Sequence, residues 1–481
     1  MSPTEADARS GYDVAVIGAG VVGVAIAREL SRYELRTVVL EACSDVGTGT
    51  TKANTAIRHT GFDAKPGSLE AMLLRRAYPL LSEYAARTGI PVETPGALLV
   101  AWTAEQLARL DALATQAREN GIQDVHAVRV AELYAREPRL GHGALGALAI
   151  PGEGIVCPFT TPLAFATEAL ANGVCLELDA PVRSIQDSGD GYAISIPHGL
   201  VQARWVVNAA GLCSDIIDRM MGHHRFTVHP RRGQLIVFDK LARPLVSSIL
   251  LPVPTPVSKG VLVAPTVFGN VLLGPTAEDV ADRVATETTA DGLADLLAKG
   301  GSILPALLEE EVTATYAGLR AATEHADYQI HCDPAQRYVC AGGIRSTGLS
   351  ASMGIAAHVV ELLADAGLRL RCAASHHGVP MPPLGESQLR RFRDAQAIAG
   401  NPAYGEIVCH CERVTRGELV DALEAPLAAR SMDGLRRRTR AGLGRCQGFY
   451  CSAAITSLLD ERTGRALEGT RATHSDRAAV R

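Results

Sequence analysis

No apolar run in this 481-residue chain approaches the ~18 residues that a membrane-spanning helix needs. The amino terminus, MSPTEADARS, lacks the apolar stretch of a secretory signal. An excess of one charge is also missing. The formal net charge is -5, which gives no general attraction for nucleic acid or an anionic membrane surface. The eleven cysteines, an odd number in a long chain, do not make a secreted disulfide framework. Together these absences predict a cytoplasmic protein with no nucleic-acid partner and no transmembrane segment. What remains is ordinary globular material, 47% hydrophobic and 21% charged, enough for two or three domains and a sizeable core. Cys43, Cys157, Cys175, Cys213, Cys332, Cys340 and Cys372 are scattered among apolar or small residues and are expected to be buried thiols. The other four crowd into positions 409–451.

The folded part opens with YDVAVIGAGVVGVAIARELSRYELRTVVLEA. DVAVI is a short β-branched run, the pattern of a buried strand. Gly18, Gly20 and Gly23 follow at G-x-G-x-x-G spacing, VVGVAIARELSRY has helical periodicity, and RTVVLEA reads as a second buried strand ending at Glu41. A strand before the glycines, a helix after them and an acid 18 residues beyond the last one make this a dinucleotide grip rather than a chance turn. Gly18 permits the tight turn, Gly20 lets backbone approach a pyrophosphate at the helix N-terminus, and Gly23 lets the helix pack on the strand. Glu41 can accept hydrogen bonds from ribose hydroxyls and would repel a 2′-phosphate. The fingerprint does not choose between NAD and FAD. The next stretch, GTGTTKANTAIRHTGFDAKPGSLEA (47–71), is small and polar, a long ordered segment suited to an extended cofactor. Further on, WVVNAAGLCSDII (205–217) reads as a strand running into a helix, with Gly211 a second close-approach residue.

The chain resembles the FAD-dependent oxidoreductases of the D-amino-acid-oxidase type. Within them it is most similar to the glycerol-3-phosphate oxidase/dehydrogenase group that carries an extra C-terminal domain. Beyond the opening grip, the words carrying the likeness are TKANTAIRHTGFDAKPGSL, GIVCPF, VVNAAG, HPRRGQLIVFDK, KGVLVAPTVFGNVLLGPTAED, GLR and GIRSTGLSASMGIA. The implied fold class is α/β: a Rossmann-like FAD-binding domain with a mixed β-sheet substrate subdomain, plus a small helical C-terminal domain. The expected boundaries are a flexible N-terminus at 1–11, the oxidoreductase domain at 12–375 with its substrate subdomain at roughly 86–150 and 226–322, a Pro/Gly-rich linker at 376–405, the C-terminal domain at 406–462 and a flexible tail at 463–481. The helix in TAEQLARLDALATQAREN (103–120) reads as amphipathic and on the surface. The resemblance also implies that Thr50, Thr51 and Asn54 touch FAD, and that Gly348, Leu349 and Ser350 form a second flavin-binding segment.

In IRSTGLSASMGIAAHVVELLADAG (344–367), Gly348 is a breaker and Ser350 a candidate N-cap before a long apolar-periodic helix. Its N-terminus, aimed at the flavin N1/O2 edge, would stabilise negative charge on the reduced ring. His59 lies in His59-Thr60-Gly61-Phe62, where the family has His-Gly-Gly-Tyr, and is the candidate for proton handling. Lys259 and Arg320 match substrate-facing family positions and would clamp an anion, Arg as a fork and Lys as a point charge. Arg345 and Thr347 depart from the family's Gly-Ile-Glu-Ser-Pro-Gly. A positive charge replaces a negative one near the flavin, which argues for an anionic substrate. The expected substrate is thus a small anionic hydroxy compound, glycerol 3-phosphate or a relative. The alternatives are a 2-hydroxy acid such as L-2-hydroxyglutarate, an amino acid or opine, and a non-catalytic redox-sensing or assembly subunit.

Cys409-x-Cys411 is answered, after 34 residues, by Cys446 and Cys451. Spacing alone suits one metal centre and leaves zinc open. The flanking words VCHCERVTRGELVDAL and DGLRRRTRAGLGRCQGFYC resemble the bacterioferritin-associated-ferredoxin-like domain. That likeness implies a [2Fe-2S] cluster on Cys409, Cys411, Cys446 and Cys451, two cysteines per iron. Arg430, Arg436, Arg437, Arg438, Arg440 and Arg445 would offset its negative charge, as a solvated basic face or a docking patch for an acidic carrier. Electrons would then pass to a quinone or a redox partner protein or subunit, with peripheral contact at the inner membrane one way of reaching it.

Overall fold

A computed structural model of the chain describes residues 11–254 and 260–463. Lys259 and nearly all of the two expected flexible ends lie outside these residues. In the first sheet, strand Tyr12–Ile17 runs parallel to Thr37–Leu40 on one side and to Gly199–Asn208 on the other. Cys175–Glu177 continues it beyond Thr37–Leu40, and Tyr338–Gly342 lies parallel to the end of Gly199–Asn208. Antiparallel strands Tyr192–Ile196 and Gln329–Asp333 add to its edges. Val14, Val16, Val38, Val39, Val206 and Val207 are all buried, as β-branched residues are in a parallel sheet covered on both faces. Helix Val21–Leu30 packs on helix Gly348–Asp365, which packs in turn on Leu69–Thr88.

A second sheet of nine strands is built around the antiparallel pair Val228–Phe238 and Val312–Thr323, which sets Arg231 opposite Arg320. It runs on through Val271–Gly274, Leu262–Pro265, Ile249–Pro252, Ala97–Ala101, Gly146–Ile150 and His126–Val128. The sheet is mixed because Ile249–Pro252 lies parallel to Ala97–Ala101 while its other pairings are antiparallel. Helix Ala104–Glu119 starts where Thr103 accepts a hydrogen bond from Gln106 N, and it buries Leu110, Leu113, Ala114 and Ala117.

Residues 381–388 lie along the end of helix Leu69–Thr88. Met381 N donates to Thr88 O at 2.7 Å, Gln388 Nε2 to Gly89 O at 2.8 Å, and Leu384 is buried. The chain then forms a small unit with its own core of Val414, Leu419, Leu435, Ile455 and Leu459. In it, hairpin Ile407–Cys409 and Val414–Thr415 precedes helices Arg416–Glu424, Met432–Thr439 and Ser452–Thr463. T-R-G-E at 415–418 makes a capping box, Thr415 and Glu418 each satisfying the other's backbone N–H.

The expectation for the scattered cysteines is corrected. Cys157 and Cys340 are buried, Cys43, Cys175, Cys213 and Cys332 are part-buried, and Cys372 is exposed. Apolar neighbours in sequence did not ensure burial, because Cys372 follows the last large helix where the chain returns to the surface. No described helix is long and apolar enough to cross a membrane.

Candidate active site and cluster site

The nucleotide end is shaped by what glycine leaves out. Gly18 has φ +102°, and a Cβ there would lie 2.6 Å from Ala209 O. A Cβ on Gly23 would lie 1.9 Å from Gly18 O, so these two positions serve the turn and the helix contact. A Cβ on Gly20 would meet only Thr51 Oγ1, at 3.5 Å. Gly20 thus keeps clear the entry to helix Val21–Leu30 and itself supplies no side-chain cap. A helix N-terminus favours an anion. Thr51 Oγ1 accepts from Val21 N at 3.0 Å. Glu41 stands at the strand end, accepting from Ala19 N at 2.6 Å and Cys43 N at 2.9 Å. Burial pushes its carboxyl above the ordinary range, partly offset by those N–H groups. Gly211 has φ +56° and open space at its Cβ position. A helix N-terminus, a cleared approach and an acid at the strand end fit the ADP half of FAD.

Residues 50–56 connect this grip to the second sheet. Thr50 Oγ1 donates to Leu319 O at 2.8 Å, and Tyr316 OH to Asn54 O at 2.7 Å. A Cβ on Gly318 would lie 2.1 Å from Ala53 O, so the segment presses directly on strand Val312–Thr323. Asn54 closes the turn: its Nδ2 donates to Thr51 O and its Oδ1 accepts from Ala56 N, both at 2.6 Å. Ala56 takes φ +57°, which that bond holds in place.

His59 lies three residues beyond Ala56. Its backbone N–H donates to Ser350 Oγ at 2.9 Å, and Ser350 Oγ donates to Ile57 O at 3.1 Å. Ser350 is therefore not the helix cap. The helix begins at Gly348 after Thr347 and carries no side-chain cap, while Ser350, inside its first turn, fastens the His59 segment to it. Leu349 is buried beside it. The uncapped N-terminus suits the charge-stabilising role expected of this segment. Thr347 is also occupied, donating to Glu70 Oε1 at 2.6 Å and lying against Tyr328 OH. Arg345 reaches the Ala326 carbonyl.

His59 Nδ1 lies 3.1 Å from Glu153 Oε2, and Glu153 has no solvent exposure. The sequence reading missed Glu153. Its one signal was an acid between two glycines just before the buried strand Gly154–Val156.

Arg320 lies over Gly233, where a Cβ would come within 2.8 Å of Nη2. Nη1 makes a long hydrogen bond to Thr276 O at 3.4 Å. Among the described residues no carboxylate pairs with it, whereas neighbouring Arg231 is held by Asp279 at 2.6 Å. Burial, with the Arg231 charge, pushes the Arg320 pKa down to about 10, so it stays cationic at neutral pH.

The four C-terminal thiols converge in pairs. Cys411 is next to Cys446 and Cys409 next to Cys451, close enough for each to act on its neighbour's titration. Among the described residues no three His, Cys, Asp or Glu side chains form a ligand set for a single ion. Two thiol pairs would suit the two irons of a binuclear cluster. A Cβ on Gly444 would lie 2.4 Å from Cys411 Cβ. The Tyr450 backbone N–H, with those of Gly448 and Phe449, points to Cys446 and lowers its thiol pKa. N–H groups aimed at sulfur are what a thiolate ligand needs. Cys411→Ser is expected to lower iron per flavin and bleach the cluster bands while FAD content stays constant. Unchanged iron would remove Cys411 from the ligand set.

The arginine run is divided between buried residues that face acids and residues left at the surface. Arg437 and Arg438 are buried and both reach Asp45, at 2.6 and 2.7 Å, with a further Arg438 bond at 2.8 Å. Arg440 pairs with Glu412 at 2.8 Å and lies 3.9 Å over the Phe268 ring. Arg445 pairs with Asp239 at 2.8 Å. Arg436 pairs with Asp433, and Arg430 is exposed. Arg437 and Arg438 of helix Met432–Thr439, and Arg445 beyond it, reach acids of the larger domain and so clasp the two units together.

A nucleotide grip on a parallel sheet, an uncapped helix fastened beside His59, and a thiol-lined appended unit define a flavin-dependent oxidoreductase with a cluster domain. The chain belongs to the FAD dependent oxidoreductase family, whose model matches residues 13–362, and residues 407–461 match the BFD-like [2Fe-2S] binding domain. It is 34% identical over 454 residues to a glycerol 3-phosphate dehydrogenase of Caloramator mitchellensis, covering 94% of this chain and 95% of the relative. A mitochondrial L-2-hydroxyglutarate dehydrogenase of Caenorhabditis elegans is 30% identical over 276 residues, covering 55% of this chain and 63% of the relative. The dithionite-reduced L-alpha-glycerophosphate oxidase from Mycoplasma pneumoniae, with FAD bound, superposes with a TM-score of 0.72 at 29% identity, covering 76% of this chain and 98% of that one.

Proposed function

We propose that this enzyme oxidises the secondary hydroxyl of glycerol 3-phosphate to the ketone and passes the electrons to a quinone or a redox partner protein. Arg320 is the observation that carries this reading. It is a cation enclosed beside the FAD-binding segment with no carboxylate partner among the described residues, in a chain related over nearly its full length to a glycerol 3-phosphate dehydrogenase. Bound FAD would accept the two electrons leaving the substrate carbon, and the [2Fe-2S] centre would carry them onward singly. Arg320 binds the phosphate as a fork. Lys259 would supply a second charge on the same anion. His59 takes the hydroxyl proton as the carbon is oxidised. The uncapped N-terminus of helix Gly348–Asp365 favours negative charge at the ring.

Anaerobic bleaching of the flavin band near ~450 nm tests this with a panel of glycerol 3-phosphate, L-2-hydroxyglutarate and amino acids. Glycerol 3-phosphate is expected to bleach it at the lowest concentration. Bleaching by the hydroxy acid or an amine, with none by the phosphate, would transfer the assignment to that substrate.

A further inference from the structure

We infer that Glu153 is the positioning residue for His59, fixing which ring nitrogen carries the proton and stabilising the imidazolium once His59 has accepted one. The inference rests on His59 as the proton acceptor and deepens that reading. Glu153 sits in the turn before strand Gly154–Val156, which pairs with strand Ile57–Arg58. The pairing sets the carboxylate and the imidazole side by side although 94 residues separate them.

The two oxygens of Glu153 have different work. Oε1 accepts from Thr60 N at 2.6 Å and from Thr60 Oγ1 at 2.7 Å, which holds the turn after His59. Oε2 lies 3.1 Å from His59 Nδ1. Glu153 is fully buried, while the His59 side chain keeps 19% exposure. Among the described residues, His59 is the ion-pair partner within reach of Glu153. Among the described residues, Tyr78 and Arg58 also stand near Glu153, bonded to each other at 2.9 Å. Arg58 is further held by Ser82 and Thr94. Around the His59 backbone, helix Gly348–Asp365 contributes the Ser350 hydroxyl and no charge.

An ionised carboxylate only accepts hydrogen bonds. Facing Nδ1, it selects the neutral tautomer protonated there and so makes Nε2 the basic nitrogen. When the substrate hydroxyl gives its proton to Nε2, the ring becomes cationic beside a buried negative charge, which favours that state. The same carboxylate thus orients the ring and strengthens it as a base.

Glu153→Gln separates these roles from simple support of the turn. Glutamine keeps an oxygen for Thr60 N and turns an NH₂ toward His59, so the neutral ring shifts to the Nε2-protonated tautomer. Flavin reduction by substrate is expected to slow about 10²–10⁴-fold, the range a positioned acid-base group supplies, with FAD content and KM retained. With the anionic neighbour gone, the limb of the rate profile that reports imidazole protonation should move to lower pH. Nitrogen NMR of the ring, assigned with His59→Asn, should show Nδ1–H in the wild type and Nε2–H in the variant. If His59→Asn is slow while Glu153→Gln keeps the wild-type rate, limb and tautomer, the role of Glu153 is overturned and that of His59 survives. If His59→Asn keeps the full rate, His59 is not the proton acceptor and the underlying reading falls. Should the Gln variant bind FAD poorly, the wild-type spectrum decides alone: an Nε2-protonated neutral ring overturns the inference.

Discussion

Arg320→Ala is expected to lower kcat/KM for glycerol 3-phosphate about 10²–10³-fold while FAD and iron contents stay constant. The guanidinium lies in a fold that gives it a weak bond to Thr276 O and no counter-charge among the described residues. Burial already lowers its pKa, and the neighbouring Arg231 adds repulsion. A phosphate entering this position meets a charge that has lost much of its water, so each hydrogen bond counts for more than at the surface. Removing one member of a desolvated charge pair costs about 2–5 kcal/mol, and each 1.36 kcal/mol is tenfold in rate. The loss should appear mainly in KM, because the phosphate is remote from the carbon being oxidised. Arg320→Lys should fall between wild type and alanine, since it keeps the charge and gives up the fork. Stopped-flow flavin reduction over a range of substrate concentrations measures both parameters. An unchanged KM in Arg320→Ala would place the phosphate elsewhere.

The parts of the site that were legible in the sequence are those whose partners are local. Gly18, Gly20, Gly23 and Glu41 fall within one strand-helix-strand unit, and the observed hydrogen bond from Ala19 N to Glu41 closes that unit on itself. The helix starting at Gly348 was legible for the same reason, through its apolar period and its glycine. Long-range pairing was not legible. Ser350 near a helix start reads as a cap, but its hydroxyl is used by His59, 291 residues away. Glu153 gave no periodic signal, because its role depends on two short strands pairing. The arginines read as a basic face without saying what covers part of it, and for Arg437 and Arg438 the answer, Asp45, lies 393 residues from Arg438.

That last contact supports a second prediction, on how the cluster domain is held. Asp45 follows Glu41 by four residues, and the loop returns to the nucleotide grip where Gly47 N donates to Ala19 O at 2.9 Å. Asp45→Asn should therefore loosen both the cluster domain and the adenosine end of FAD. It leaves Arg437 and Arg438 buried without their shared carboxylate, and breaking a buried ion pair from one side costs about 3–5 kcal/mol. Burial alone would raise the Asp45 carboxyl, but Arg438 and then Arg437 more than offset it and hold it below its ordinary value. A carboxylate depressed in the folded state stabilises above its unfolded pKa, about 3.9, and that contribution disappears as pH falls through the lower folded value. Asp239, held low by Arg445 after burial is overcome, and Glu412, held low by Arg440 of its own unit and by Lys240 across the contact, act in the same direction. Wild type and Asp45→Asn should thus differ most near neutral pH and converge in acid. Thermal unfolding followed separately by flavin fluorescence and cluster absorbance should show the cluster domain melting earlier in the variant, with slower cluster reduction by substrate. If the variant melts with the wild type and its cluster is reduced at the same rate, the clasp does not hold the two redox centres together.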